Sequence, residues 1–209
     1  MNFGQMKTRV RRRVNEPSTA FFTDADIEDA LNEGYHELAD ATEFYEREAL
    51  VPMIKGHTYY DLTNILPDTF LSPRRAFNPT TNRWLAPTDP INQDIHTFVQ
   101  WELVQGEPES YLMRGNWWLG VFPKPSQDGA GMRLNYTGIP AAMVEDTDEP
   151  EAIPEEFHDA IVEYAVYDLL GQKRQGNKAL IHWGAYLALE DKLRRYVDGR
   201  TSLARVNSL

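Results

Sequence analysis

The stretch Phe22–Tyr45, FTDADIEDALNEGYHELADATEFY, constrains the fold more than any other part of the chain. Thr23 is placed to cap the first free amides of a helix, Asp24 and Asp26 put negative charge at its positive end, and Phe22 can fold back on Ile27. Behind this start, Ile27, Leu31, Tyr35, Leu38 and Thr42 recur at steps of three and four. Asp26, Asp29, Glu33, Glu37 and Asp40 occupy the opposite side. One face of the helix therefore needs helical partners that the rest of the chain must supply.

Those partners are legible at both ends. Phe3, Met6, Val10 and Val14 predict a short N-terminal amphipathic helix, broken between Asn15 and Thr19 around Pro17. From Ile153, Pro154 suits a first helical position and Glu155 and Glu156 favour a helix N-terminus. Phe157, Ile161, Tyr164, Ala165, Tyr167, Leu169 and Leu170 then form an apolar surface wide enough for contacts on more than one side. A last helix is predicted over Asn177–Val197, where Gly184, Ala185 and Ala188 allow a neighbouring backbone close. Beyond Asp198, Leu203, Val206 and Leu209 recur every third residue in a tail with no core of its own.

Between the helical ends, proline and glycine punctuate short apolar runs. Glu48–Ile54 and His57–Leu62 flank Lys55-Gly56 and predict a hairpin, with Gly56 at the first central position of a II′ turn. Thr69–Phe77 and Arg83–Ala86 predict a second ribbon. Ile91–Trp101 stays open between a helical turn and a strand. Ser110–Arg114, Trp117–Phe122 and Met132–Gly138 read as a meander: the last alternates cleanly, and the middle one is apolar on both faces, as a covered central strand is. The class is therefore α+β. A helical bundle is built from residues 1–46 and 150–198, a β-rich domain is inserted over 47–149, and an extended C-terminal tail covers 199–209.

Charge narrows the function. The formal net charge is −11, which argues against nucleic-acid binding as the main task, because phosphate binding depends on clustered Lys and Arg. Lys7, Arg9, Arg11, Arg12 and Arg13 stand without an acid among them, Val144–Asp168 carries only acids, and the C-terminal part turns basic again. Such segregation suits head-to-tail contact between copies, with a charged solvated face as the other reading. There is no cysteine, which excludes disulfides and thiolate metal sites. No apolar run has the length of a signal-peptide core or a membrane span, so the chain reads as cytoplasmic or assembled in cytoplasm.

Candidate chemistry is sparse. Glu33 with His36 and Glu155 with His158 share the Glu-x-x-His spacing by which ferritin-like bundles hold two metals. Such a site also needs inward carboxylates from two further helices, and residues 1–14 contain none. His57, His96 and His182 are scattered, and no glycine cluster is followed by a helix that would present amides to phosphate. Pairs such as Glu145-Asp146 lack the apolar shielding that tunes a catalytic acid. Trp84, Trp101, Trp117 and Trp118, with Tyr59, Tyr60 and Tyr111, fit either a carbohydrate- or receptor-binding surface or the filling of a small β core. No cofactor, metal or catalytic residue is expected.

The order of landmarks resembles the head-to-tail adaptor (connector) proteins of tailed bacteriophages. It is carried by the N-terminal helix, Phe22-Thr23-Asp24 leading into Ala30-Leu31-Asn32-Glu33, and Gly56-x-x-x-Tyr60-x-Leu62. It continues through Pro108-x-x-Tyr111, Phe122-Pro123-x-Pro125, Leu134-x-Tyr136 with Pro140 after it, and the helix opened by Ile153-Pro154. The resemblance implies a structural virion protein rather than an enzyme, sited in the neck. It implies a ring of twelve copies between the portal protein and a downstream tail or nozzle protein, with double-stranded DNA passing through without sequence-specific binding and without membrane contact. It also implies a C-terminal portal-docking segment, here Arg200, Leu203, Arg205, Val206 and Leu209. Contacts between copies are expected from Arg11, Arg12, Lys192, Arg194, Arg195, Glu155 and Glu156.

Overall fold

The computed structural model describes all residues except 17–20, 67–68, 97–99 and 207–209. Helices and sheets divide between two compact units, residues 1–45 with 139–209, and residues 46–138. The protein is of the α+β class.

In the helical unit, α1 (Phe3–Arg13), α2 (Asp24–Thr42), α4 (His158–Gln172) and α5 (Gly176–Val206) share one core. Phe3, Met6 and Val10 of α1 and Ile27, Leu31, Tyr35 and Leu38 of α2 are buried, while Asp29, Glu33, Glu37 and Asp40 stay on the solvent side. Helix α4 has no exposed residue between Phe157 and Leu170, because it packs against α1, α2 and α5 at once. That is the physical content of its wide apolar surface.

The helix ends are closed by specific groups. Thr23 accepts from the Asp26 amide, and the Asp26 carboxylate accepts from the Thr23 amide and hydroxyl. This reciprocal cap satisfies two otherwise free donors. Thr23→Ala is expected to cost about 1 kcal/mol, read as a lower Tm with unchanged helix content. At α1 the Asn2 side chain accepts from Gln5, while the carbonyls of Asp148 and Asp146 accept from Phe3 and Gly4. Asn15, at φ 56°, then ends α1: its amide donates to Arg12 and that of Glu16 to Arg11. This is the left-handed stop that asparagine tolerates best after glycine. Helix α4 stops the same way at Arg174, φ 56°, and runs straight through Gly171. Pro154 precedes a 3-10 turn, Glu155–Phe157, rather than occupying the first turn of α4.

Two expectations about the last helix are corrected. Residues 199–206 continue α5 instead of running extended; Leu209 lies outside the described residues. Gly184 faces solvent, and an added Cβ there meets nothing within 4 Å, so it permits no close approach inside the chain.

In the β-rich unit, β1 (Glu46–Met53), β3 (Phe70–Asn78), β4 (Arg83–Trp84) and β10 (Gly129–Gly138) form one sheet in the order β1-β10-β3-β4. A second sheet has the order β2-β8-β7-β5, from Tyr59–Asp61, Trp118–Phe122, Ser110–Arg114 and Ala86–Pro87. The short parallel pair β6 (Gln105–Gly106) and β9 (Lys124–Pro125) stands apart. Val51, Ala76, Met132, Leu134 and Tyr136 of the first sheet join Tyr60, Tyr111, Leu119 and Val121 of the second in one core.

The β3–β4 ribbon and the β7–β8 hairpin stand as expected, and β8 is an interior strand. The hairpin across Gly56 does not form. The His57 amide bonds to the Ile54 carbonyl at 3.1 Å, which puts Gly56, φ 76°, at the second central position of the turn, with Lys55 at negative φ. This is type II geometry, which splays the flanking chains instead of matching their twist. Strands β1 and β2 accordingly join different sheets. The meander also ends after two strands, since β10 pairs with β1 and β3. Ile91–Trp101 resolves into α3 (Pro90–His96) and a 3-10 turn beginning at Trp101.

Candidate docking surfaces

Four of the five basic residues of α1 are held within the chain. Lys7 lies 2.8 Å from Glu28 and 2.5 Å from Asp146, Arg9 3.0 Å from Asp159, Arg11 2.6 Å from Asp24, and Arg13 2.7 Å from Glu163. Arg12 is exposed and forms no ion pair among the described residues. The other residues expected between copies also have partners in the same chain: Lys192 with Glu156 at 3.4 Å, Arg194 with Glu190 at 2.6 Å, Arg195 with Asp191 at 2.6 Å, and Glu155 with the N-terminal ammonium at 3.1 Å. Most of these pairs are solvated and contribute little to folding, so exchanging them for partners on another molecule costs little. Arg200, Leu203, Arg205 and Val206 lie in the last turns of α5.

A different ion pair is structural, and its role was not legible in sequence. Glu16 is buried; one oxygen accepts from the amides of Phe21 and Phe22 and the other lies 2.8 Å from Lys173 Nζ, which sits over both phenyl rings. The Lys173 hydrogen bond, followed by the two amides, holds the Glu16 carboxyl below the usual glutamate range against the opposing effect of burial. A lowered folded pKa means that this stabilisation is complete above the unfolded value and is lost as pH falls through the folded one. Glu16→Gln should therefore lower Tm at neutral pH, with the difference from the parent protein closing in acid.

The two Glu-x-x-His pairs do not converge. His158 is buried with Nε2 on the Ile153 carbonyl and Nδ1 against the Met1 carbonyl and ammonium; burial lowers its pKa. Glu33 accepts from the Tyr164 hydroxyl at 3.3 Å. His36 lines an open groove with Asp29, Asn32, Glu33, Glu37, Asp40, Ile139 and Ala142. Among the described residues no group of three or more His, Asp or Glu is placed to hold a metal ion. The acidic loop after 139 has structural work: Asp148 accepts from the amides of Val144 and Glu145, which lower its pKa, and Asn32 exchanges two hydrogen bonds with Met143.

The tryptophans divide. Trp101 is buried and donates to Asp94 at 2.8 Å, and Trp117 packs on the β core. Trp84 and Trp118 are about half exposed, at 50 % and 47 %, but lie in different sheets. Arg75 covers one face of Trp84 at 4.6 Å, and Phe77 meets its edge. Leu50, Arg133, Phe77 and Trp84 form one lateral row across the first sheet. Arg75 thus covers Trp84 within this row, while Trp118 stands exposed in the other sheet.

A family model described as SU10 adaptor protein matches residues 1–207. The chain belongs to the SU10 adaptor protein family. Membership agrees with the resemblance read from the ordered landmarks, and assigns a structural phage adaptor of the virion neck. Comparison with curated proteins finds no match. No helix of this SU10 adaptor is long and apolar enough to cross a membrane among the described residues.

Proposed function

We propose that the protein forms a ring of twelve copies between the portal protein and a downstream tail or nozzle protein, and that double-stranded DNA passes through its channel. The observation that carries this reading is the family match over residues 1–207. Charge is compatible with it: twelve copies at −11 each bring on the order of −130 formal charges, which discourages the DNA backbone from sticking. The ring assembles in the host cytoplasm as part of the particle, with the end of α5, including Arg200, Leu203, Arg205 and Val206, and Leu209 beyond it, docking on the portal. Arg12, which forms no ion pair among the described residues, and the exposed Lys192–Glu156 and Arg195–Asp191 pairs exchange partners between copies in this reading.

Electron microscopy of the protein mixed with portal particles tests the reading. A ring with portal-matched symmetry is expected, and portals that remain bare would sink it. Removing residues 199–209 should reduce portal attachment at least tenfold while leaving Tm and helical circular dichroism of the remainder close to those of the full chain. Undiminished attachment would refute the docking role.

A further inference from the structure

The outer face of the first sheet carries two guanidinium groups that have no carboxylate at hydrogen-bond distance among the described residues. Arg75 lies over Trp84 and Arg133 over Phe77, each with its guanidinium carbon 4.6 Å from the ring centre. Arg75 forms no ion pair among the described residues, and Arg133 stands 4.0 Å from Glu48. Placed over the rings, the two groups keep N–H edges for a carboxylate from elsewhere. Leu50 at one end of this row and Trp84 at the other are exposed, so the face is apolar, basic and open.

The helical unit carries the opposite surface. Asp29, Glu33, Glu37 and Asp40 follow one another at steps of four, four and three along α2 and line a groove with Ile139 and Ala142. None of the four meets a cation among the described residues. Glu33 has the Tyr164 hydroxyl, and Arg194, which reaches the Ala41 carbonyl near the end of α2, is taken by Glu190. The other acids of α2 are engaged: Asp24 with Arg11, Glu28 with Lys7, and Asp26 in the cap. Like charges at these spacings disfavour a helix, a cost that the chain itself does not offset. Two shielded groups beside the line also lack hydrogen-bond partners among the described residues. One is Nε2 of His36, which lines the groove; the other is the hydroxyl of Tyr186, a residue 1 % exposed whose surroundings include Glu37, Glu190 and Tyr164. Both can accept from an N–H donor, which a guanidinium supplies and a carboxylate does not.

The dimensions of the two surfaces agree. From Leu50 through Arg133 and Phe77 to Trp84 the row crosses three interstrand spacings, about 14 Å, and Asp29 to Asp40 covers about 16 Å of helix. The rings under the two guanidinium groups belong to adjacent strands, about 5 Å apart, and successive carboxylates of the line start from Cβ atoms about 5–6 Å apart. Two arginines thus match two carboxylates, while the exposed Leu50 and Trp84 match the apolar wall of Ile139 and Ala142. A nucleic-acid backbone fits the face less well, because Glu48 and Glu46 stand on it opposite Asn135 and Thr137 and repel phosphate.

We propose that the outer face of the first sheet in one copy docks on the acidic α2 groove of a second copy, with Arg75 and Arg133 on its carboxylates. The two surfaces differ, so the contact is heterologous and repeats from copy to copy, the kind that closes a ring. As the seam of a ring it rests on the reading above; the pairing of the two faces is tested apart from it.

Charge reversal on each side gives the test. Arg75→Glu with Arg133→Glu, and Glu37→Arg with Asp40→Arg, alter exposed residues and should leave circular dichroism and Tm near those of the parent. On portal particles each variant alone should be retained at least about tenfold less than the parent. An equal mixture of the two should recover the parent's level, because alternating copies then oppose unlike charges at every seam. The chain has no cysteine, so Leu50→Cys and Ala142→Cys, treated with a bismaleimide in concentrated solution without portal, should give covalent dimers when mixed and few when alone. Reversal variants retained like the parent, or a mixture no better than its components, overturn the proposal and leave the ring standing. Bare portals with the parent protein would remove the ring alone, and the cross-link then decides the pairing, which an absence of dimers overturns. Undiminished rings, with a double-stranded oligonucleotide bound by the parent and lost by Arg75→Glu with Arg133→Glu, would assign the face to phosphate and overturn it as well.

Discussion

Leu134→Asp is expected to unfold the β-rich unit and leave the helical one standing. Leu134 has no exposed surface and sits mid-strand in β10, opposite Ala49 of β1 and Ala76 of β3. An aspartate there has neither water nor a cation, and burying a polar or charged group without a partner costs several kcal/mol, at the extreme of what one substitution does. Trp84, Trp101, Trp117 and Trp118 all lie in residues 46–138, and only Trp183 lies in the helical unit. Tryptophan emission should therefore shift strongly to the red and proteolysis should open 46–138. Helical circular dichroism should persist, because residues 1–45 and 139–209 have their own core. A disordered insertion does not by itself dissolve that core, since each doubling of a connecting loop costs only about 0.6 kcal/mol. Joint loss of helix and tryptophan signals would show instead that the two units fold only together.

The helical unit was the easier to read because its determinants are local. The spacing of Phe3, Met6, Val10 and Val14, and the Thr23–Asp26 cap, act over one or two turns, and the structure uses them as the periodicity implies. The sheets depend on partners far away in sequence. The alternation of Met132, Leu134 and Tyr136 assigns one face of β10 to a core, yet nothing in those residues distinguishes Trp118–Phe122 from Glu46–Met53 as the neighbouring strand. Gly56 carried the missing signal: a positive φ was expected there, but one position along the turn decides between a hairpin and a divergence. The chain beyond Asp198 was misread for the opposite reason. A three-residue spacing read outside any core suggested an extended tail, but a helix continues through such residues when the preceding turns already provide the nucleus. The role of Glu16 lay outside any motif, because it depends on Lys173 approaching from the far end of the sequence.

The seam between α2 and α4 gives the second large effect, at Gly34. A Cβ built there would stand 2.9 Å from Cδ1, 3.0 Å from Cβ and 3.1 Å from Cγ of Tyr164. The Tyr164 ring cannot simply swing aside: it meets Tyr167, Trp183 and Tyr186 edge-on, and burial with neighbouring carboxylates pushes its hydroxyl up to about 12. Gly34→Ala gains about 1 kcal/mol of helix propensity and loses more to the clash, for a small net destabilisation. Gly34→Leu adds branches that must displace the ring, and overpacking of this kind costs about 3 kcal/mol. If contact with Tyr164 is the cause, Tyr164→Ala should suppress most of the Gly34→Leu penalty, since leucine then occupies the vacated space. A double-mutant cycle by thermal unfolding should give a coupling of about 2 kcal/mol. Additive penalties would instead assign Gly34 to a contact other than the ring of Tyr164, and α2 would then be held against α4 by different side chains.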